Sequence, residues 1–144
     1  MKSVRHAGIV ITNREKSLRF YRGLLGLKIV KETNESGDYL DDMSALKKVR
    51  VNTIKMAADD GSLIELLCFA SHSRKADPTR EICSIGPSHV AFTVENLDKE
   101  YRRLTKAGVV FNASPQFSPD GYAKVTFCKD PDGTLIELVE VLGG

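Results

Sequence analysis

Four side chains able to hold a metal ion are spaced in this chain as two copies of one arrangement. The tract Asp60-Gly61-Ser62-Leu63-Ile64-Glu65-Leu66 returns as Asp132-Gly133-Thr134-Leu135-Ile136-Glu137-Leu138. Upstream of each copy a histidine opens an apolar stretch, His6 before Ile9-Val10-Ile11 and His89 before Ala91-Phe92-Thr93-Val94. The interval from His6 to Glu65 is somewhat longer than that from His89 to Glu137, a difference one longer loop accounts for. Two neutral imidazoles and two carboxylates are a donor set for one divalent ion such as Zn, Ni, Co, Mn or Fe. Such a set leaves coordination positions for water or substrate, as catalytic metal sites require. Both glutamates stand in strongly apolar sequence, where a lone carboxylate suffers heavy desolvation unless paired, protonated or bound to metal. Taken singly, a strand-edge histidine is more often a surface or hydrogen-bonded residue, and a glutamate in an apolar strand often points outward. The matched repeat is what favours joint ligation by His6, Glu65, His89 and Glu137.

The elements that must position these groups follow the same duplication. A strand is expected over about Val4 to Ile11. Thr12 with Glu15 reads as a capping box for a helix carrying Leu18, Tyr21, Leu24 and Leu25 at helical spacing, closed by Gly26. Strands follow at Leu27–Thr33, Val49–Ala57 and Ser62–Phe69, with turns at 34–38 and at Asp59-Asp60-Gly61, and residues 39–48 are ambiguous, open to a loop over the site. The second half repeats the order: a strand at Ser88–Val94, a helix capped by Asn96 with Leu97, Tyr101 and Leu104 facing inward, then strands at Val109–Ala113, Tyr122–Lys129 and Thr134–Leu142. Gln116–Gly121 reads as a loop, and Asp130-Pro131-Asp132-Gly133 is a strong turn signal. Each half is therefore β-α-β-β-β, in an α+β fold. Strand alternation puts His6 with Gly8 and Val10, opposite Ala7, Ile9 and Ile11, and His89 with Ala91 and Thr93, opposite Val90, Phe92 and Val94. Each histidine thus shares a face with small residues that leave room for a cavity. The expected organisation is one domain over 1–144, with module 1 at about 1–69, a polar linker at 70–86 and module 2 at about 87–144.

Composition bounds the function classes. At 144 residues the chain is long enough for one core without disulfide or metal support. Its net charge of +2, with acids and bases interspersed, argues against nucleic acid or an anionic membrane as main partner. The start Met1-Lys2-Ser3-Val4-Arg5-His6 lacks the apolar core of a signal peptide, and no apolar run is long enough to span a bilayer. Cys68, Cys83 and Cys128 are odd in number and widely spaced, which suits buried hydrophobes in a reducing cytoplasm. His72 has no counterpart in the second half and reads as a solvated loop residue.

The βαβββ duplication, the tract Ser17-Leu18-Arg19-Phe20-Tyr21-Arg22-Gly23-Leu24-Leu25-Gly26-Leu27, and Asp130-Pro131-Asp132-Gly133-Thr134-Leu135-Ile136-Glu137-Leu138 resemble the vicinal oxygen chelate superfamily. That group includes glyoxalase I, methylmalonyl-CoA epimerase, extradiol dioxygenases, and fosfomycin and bleomycin resistance proteins. The resemblance covers essentially the whole chain. It implies an open eight-stranded cup around one metal, held at His6, Glu65, His89 and Glu137, a ligand set most similar to bacterial glyoxalase I. It further implies a homodimer and a small-molecule substrate whose enediolate the metal stabilises, with Glu137 first and Glu65 second as the base. Acyl-CoA epimerisation, dioxygenation, thiol transfer, or drug binding without chemistry are the alternatives the same superfamily offers. One departure stands out. Bacterial glyoxalase I carries an arginine soon after its first ligand to grip a glutathione carboxylate, and here none occurs before Arg14. Lys47, Lys48 and Arg50 could meet an anionic substrate instead, although a solvated surface is the plainer reading for them.

Overall fold

The first and last strands of each module lie side by side, and this one pairing positions the candidate ligands. The computed structural model describes residues 1–143. Unit 1, Met1–Ala76, contains β1 (Ala7–Ile11), α1 (Arg14–Leu18) running on into a π-helical turn over Arg19–Leu24, β2 (Lys28–Ser36), α2 (Asp38–Ser44), β3 (Arg50–Ala57) and β4 (Leu63–Phe69). Its sheet has the order β1-β4-β3-β2, with β1 parallel to β4 and the other pairs antiparallel. Unit 2, from Asp77 onward, contains β5 (His89–Thr93), α3 (Leu97–Lys106), β6 (Gln116–Phe117), β7 (Ala123–Lys129) and β8 (Leu135–Val141), in the order β5-β8-β7-β6 with β5 parallel to β8. The architecture is thus two open four-stranded mixed sheets, each built from a βαβββ module.

Alternation along the strands separates an inner from an open face. In β1, Ile9 and Ile11 are buried while Gly8 and Val10 are not. In β4, Ile64 and Leu66 are buried while Leu63, Glu65 and Leu67 are half-buried, and in β8 Ile136 and Leu138 are buried between the half-buried Leu135, Glu137 and Val139. The buried set continues into the helices through Leu18, Phe20 and Tyr21 in unit 1 and Leu97 and Leu104 in unit 2, all almost wholly removed from solvent. Phe20 and Tyr21 meet edge to face at 4.9 Å, a geometry the ring quadrupoles favour.

Several local expectations are corrected. The N-cap of α1 is Asn13, not Thr12. The Asn13 side chain accepts a hydrogen bond from the Lys16 backbone N–H at 2.9 Å. It fills the capping role that Thr12 was expected to take, and Glu15 pairs with Arg14. Residues 39–48 are not all loop, because α2 occupies Asp38–Ser44 and ends at Ala45 in the left-handed region. Asp41 stabilises the return by accepting from the backbone N–H groups of Lys48 at 2.7 Å and Val49 at 2.9 Å. These bonds favour the charged form and hold its carboxyl below the usual aspartate range. The strand expected at Val109–Ala113 is reduced to one bridge, Phe111 with Cys128, and the stretch read as a loop supplies β6. Pro115 stands between them and has no N–H to give, so a continuous ladder cannot pass it. β2 also runs on to Ser36, through residues read as a turn, because Arg50, Val51 and Asn52 pair with them and the Asn52 amide donates to the Asn34 side chain at 3.0 Å. Asn96 caps α3 as expected, accepting from Lys99 N–H at 2.9 Å, and Glu140 on β8 accepts from Leu97 N–H at 2.7 Å.

The repeated DG tracts make the same turn with different anchors. Gly61 and Gly133 adopt φ of 85° and 87°, a region side chains rarely tolerate, so both turns call for glycine. In unit 1 the Asp60 carboxylate accepts from the Ser62 N–H at 2.9 Å and its hydroxyl at 2.6 Å. In unit 2 the buried Asp130, two residues earlier in the motif, accepts from the N–H groups of Asp132 at 2.9 Å and Thr134 at 2.8 Å. Among the described residues no helix is long and apolar enough to cross a membrane.

Candidate metal centre

Each unit brings one predicted histidine to one predicted glutamate. In unit 1 the parallel register sets Gly8 against Glu65, and in unit 2 it sets Ala91 against Glu137. His6 and His89 each precede that partner by two residues, which returns them to the glutamate's face. His6 Nε2 lies 3.8 Å from Glu65 Oε1, and His89 Nε2 lies 2.9 Å from Glu137 Oε2. The small residue opposite each glutamate leaves the carboxylate room to turn toward the ring. At Gly8 even an added β-carbon would come within 3.3 Å of Leu67 Cδ1. All four side chains are partly open to solvent, at 15–32%.

Metal–nitrogen and metal–oxygen bonds of roughly 2.1 Å place two ligand atoms about 3.0 Å apart at a right angle and about 3.4 Å apart at a tetrahedral one. The separations of 2.9 and 3.8 Å bracket that range. Borderline nitrogen donors together with hard carboxylate oxygens suit a first-row divalent cation. The donor types of each pair fit such an ion. Among the described residues, however, no group of three or more His, Cys, Asp or Glu side chains is gathered for a metal. What the structure presents is one two-donor pair per unit.

The surroundings of the pairs differ. His89 Nδ1 is 2.6 Å from Ser88 Oγ, and the Phe127 ring stands edge to face against the imidazole at 5.1 Å. A serine hydroxyl both donates and accepts, so it serves either tautomer of His89 and can fix the one that frees Nε2 for a cation. Among the described residues His6 Nδ1 is buried with no hydrogen-bond partner. Glu65 has a cation beside it: its second oxygen, Oε2, is 3.8 Å from Lys55 Nζ. Lys55 is Glu65's register partner on β3, and Phe127 is Glu137's on β7. Lys55, Ser88 and Phe127 all escaped the sequence reading. Hairpin symmetry held the signal, since Lys55 and Glu65 are equidistant from Asp60, and Phe127 and Glu137 are equidistant from Asp132.

Arg14, the first arginine after His6, points elsewhere. Its guanidinium makes a two-pronged pair with Glu32, Nε to Oε1 at 2.7 Å and Nη2 to Oε2 at 2.8 Å. Glu32 is in register with the buried Ile54, so this pair belongs to the helix-covered side of the sheet. Hydrogen bonding to the charged form holds the Glu32 carboxyl below its ordinary range. Arg50 alternates onto that same side, and Lys48 lies in the loop that Asp41 closes. His72 is exposed, as expected of a loop residue.

Comparison with known proteins agrees with this architecture. Residues 3–138 match the model of the Glyoxalase/Bleomycin resistance protein/Dioxygenase superfamily. The chain is 32% identical over 145 residues to the protein YwkD of Bacillus subtilis, covering 97% of this chain and 98% of that one. It is 27% identical over 141 residues to the lactoylglutathione lyase of Neisseria meningitidis, covering 96% and 91%. A glyoxalase family protein from Bacillus cereus superposes with a TM-score of 0.87 at 27% identity, over 99% of this chain and 96% of the other. The chain belongs to the glyoxalase, bleomycin resistance and dioxygenase superfamily, also known as the vicinal oxygen chelate superfamily.

Proposed function

We propose that the chain is a divalent-metal-dependent lyase or isomerase of the glyoxalase type, acting on a small molecule with neighbouring oxygens. The observation that carries this reading is the matched His–Glu pair in both modules, His6 with Glu65 at 3.8 Å and His89 with Glu137 at 2.9 Å. In this reading the two modules work as a single domain and His6, Glu65, His89 and Glu137 serve one cation, Zn, Ni, Co, Mn or Fe. Once bound, such a cation supplies Lewis acidity toward two adjacent substrate oxygens, the stabilisation an enediolate needs.

The chain's own groups supply the rest. Glu137 is the leading candidate for the base that takes a proton from carbon and returns it to the same or the adjacent carbon. Its register neighbours are Ala91 and Phe127, so no cation at those positions competes for its oxygens. Glu65, the second candidate, has Lys55 at one oxygen and His6 at the other, which suits it better to staying a carboxylate. Ser88 orients His89, and Phe127 excludes water from one side of the ring. The engagement of Arg14 with Glu32 removes the nearest candidate for gripping a glutathione carboxylate, so a substrate other than a glutathione adduct is favoured. The same reading carries a cytoplasmic homodimer, and sedimentation would check the dimer.

The test is to strip the protein with chelator, restore single metals, and assay a hemithioacetal and a 2-substituted acyl-CoA. Turnover of either that one metal restores and His89→Ala removes would support the reading. A chain that turns over neither substrate with any of these metals is not this enzyme.

A further inference from the structure

We propose that Lys31 and Lys55 form an anion-anchoring pair on the open face of the unit 1 sheet, beside Glu65, which takes a carboxylate or phosphoryl group of the substrate. This deepens the reading above and rests on it for the site it serves. Lys31 and Lys55 are register partners on antiparallel β2 and β3, so both side chains leave the same face of the sheet. That is the face of Glu65, because Lys55 is also the register partner of Glu65 on β4. Like charges placed directly opposite on a sheet destabilise it. The chain nevertheless puts two ammonium groups there with one carboxylate near them. That carboxylate oxygen is 3.8 Å from Lys55 Nζ, too far for a hydrogen bond. Among the described residues neither ammonium donates a hydrogen bond.

Charge balance sets the ligand class. Among the described residues Glu65 is the acid in register with the pair, Glu35 lies two rows away on the same face beside Thr53, and in the proposed function Glu65 is committed to a divalent cation. One carboxylate offsets at most one of two ammonium groups, so with or without that cation at least one positive charge remains uncompensated beside the reacting centre, and the partner that offsets it is an anion. The next row toward the end of the sheet, Thr33 and Thr53, adds hydroxyls, with Thr53 Oγ1 donating to Glu35 Oε2 at 3.2 Å and so already engaged. Unit 2 has Phe127 where unit 1 has Lys55, and the adjoining Val125 and Val139 are apolar. The anion anchor is therefore assigned to unit 1, and the equivalent positions of unit 2 hold no ammonium.

The experiment titrates inorganic phosphate into the chelated protein by calorimetry, for the unmutated chain, Lys31→Met, Lys55→Met and Lys55→Arg, with urea unfolding as the folding control. Co(II) affinity is measured separately on all four without phosphate. Phosphate affinity should fall about tenfold or more in each methionine variant, the loss of one charge-assisted hydrogen bond, and survive in Lys55→Arg. Equal phosphate affinity in all four proteins, or none in the unmutated chain, overturns the anchor. Stability changes with unchanged phosphate affinity overturn it too, by making the lysines structural. Loss of Co(II) binding with phosphate uptake intact would remove the metal reading alone. Normal Co(II) binding without phosphate uptake would remove the lysine pair alone.

Discussion

The two sheets share one topology and one His–Glu pair, yet the residues beside the pairs have diverged. The position next to the glutamate is Lys55 in unit 1 and Phe127 in unit 2. Unit 2 steadies its histidine through Ser88, while in unit 1 His6 Nδ1 is buried without a partner among the described residues. The parallel pairing that brings histidine to glutamate tolerates no shift, because a one-residue slip would turn the ligand to the other face. The neighbouring register positions face no such demand, and there the duplicate copies have taken separate chemical characters. A duplicated module thus keeps what builds the pair and varies what surrounds it.

The sharpest way to break this comparison is to remove one ligand from each unit. His6→Ala and His89→Ala should each lower Co(II) affinity by about a hundredfold or more, at least the upper range for losing a supporting group. Calorimetry should give one ion per chain before mutation. Two ions per chain, with each variant losing only one, would mean that the pairs work separately. Next in size are the cores. Leu66 and Leu138 hold equivalent positions, and both are almost wholly buried. Leu66→Ala and Leu138→Ala should each cost about 2–5 kcal/mol in denaturant unfolding. A large difference between them would show that the two sheets are unequal in packing as well as in chemistry.

Ser88→Ala should reduce cation affinity roughly tenfold, with little effect on unfolding, because the hydroxyl orients an imidazole and holds no core together. Unit 1 has no counterpart to lose. Arg14→Ala should cost under about 1 kcal/mol, as expected for a solvent-exposed pair. The Glu32 carboxyl lies below its ordinary value of 4.5 in the folded chain. The stability it contributes is therefore present above that pH and lost as pH falls through the folded value, and the Arg14 variant should show less of that acid dependence, Asn52 and Arg22 keeping the remainder. Smallest is a reactivity contrast. Burial, aided by the negative charge of Asp130, pushes the Cys128 thiol up to about 11, so it should resist thiol reagents until the chain unfolds. Cys83, exposed, should react at once.

Much of this was legible in the order of residues. The DG turns, the alternation of Ile9, Ile11, Ile64 and Leu66 with their open-face neighbours, and the Asn96 cap are local patterns that reappear as expected. Local competition explains the misses. Asn13 displaces Thr12 because both are good caps and only the backbone path chooses between them. Residues 39–48 include α2 because Asp41 finds two backbone donors further along the chain, a partnership that no helical or strand periodicity records. Arg14 stood out by its absence from the strand, but its commitment to Glu32 emerges only when β2 crosses beside α1.

By itself the sequence determined that there are two modules, where their strands alternate, and which four side chains could ligate, since repeats, periodicity and donor chemistry are properties of residues and their neighbours. Only the tertiary structure decided that β1 lies parallel to β4 and β5 to β8, that each histidine meets its own glutamate, and that Lys55 rather than Arg14 or Arg50 stands beside Glu65. The reason is that pairing between strands distant in the chain follows from the summed burial of whole faces, and a side chain's neighbours across a sheet exist only once that sum has selected a register.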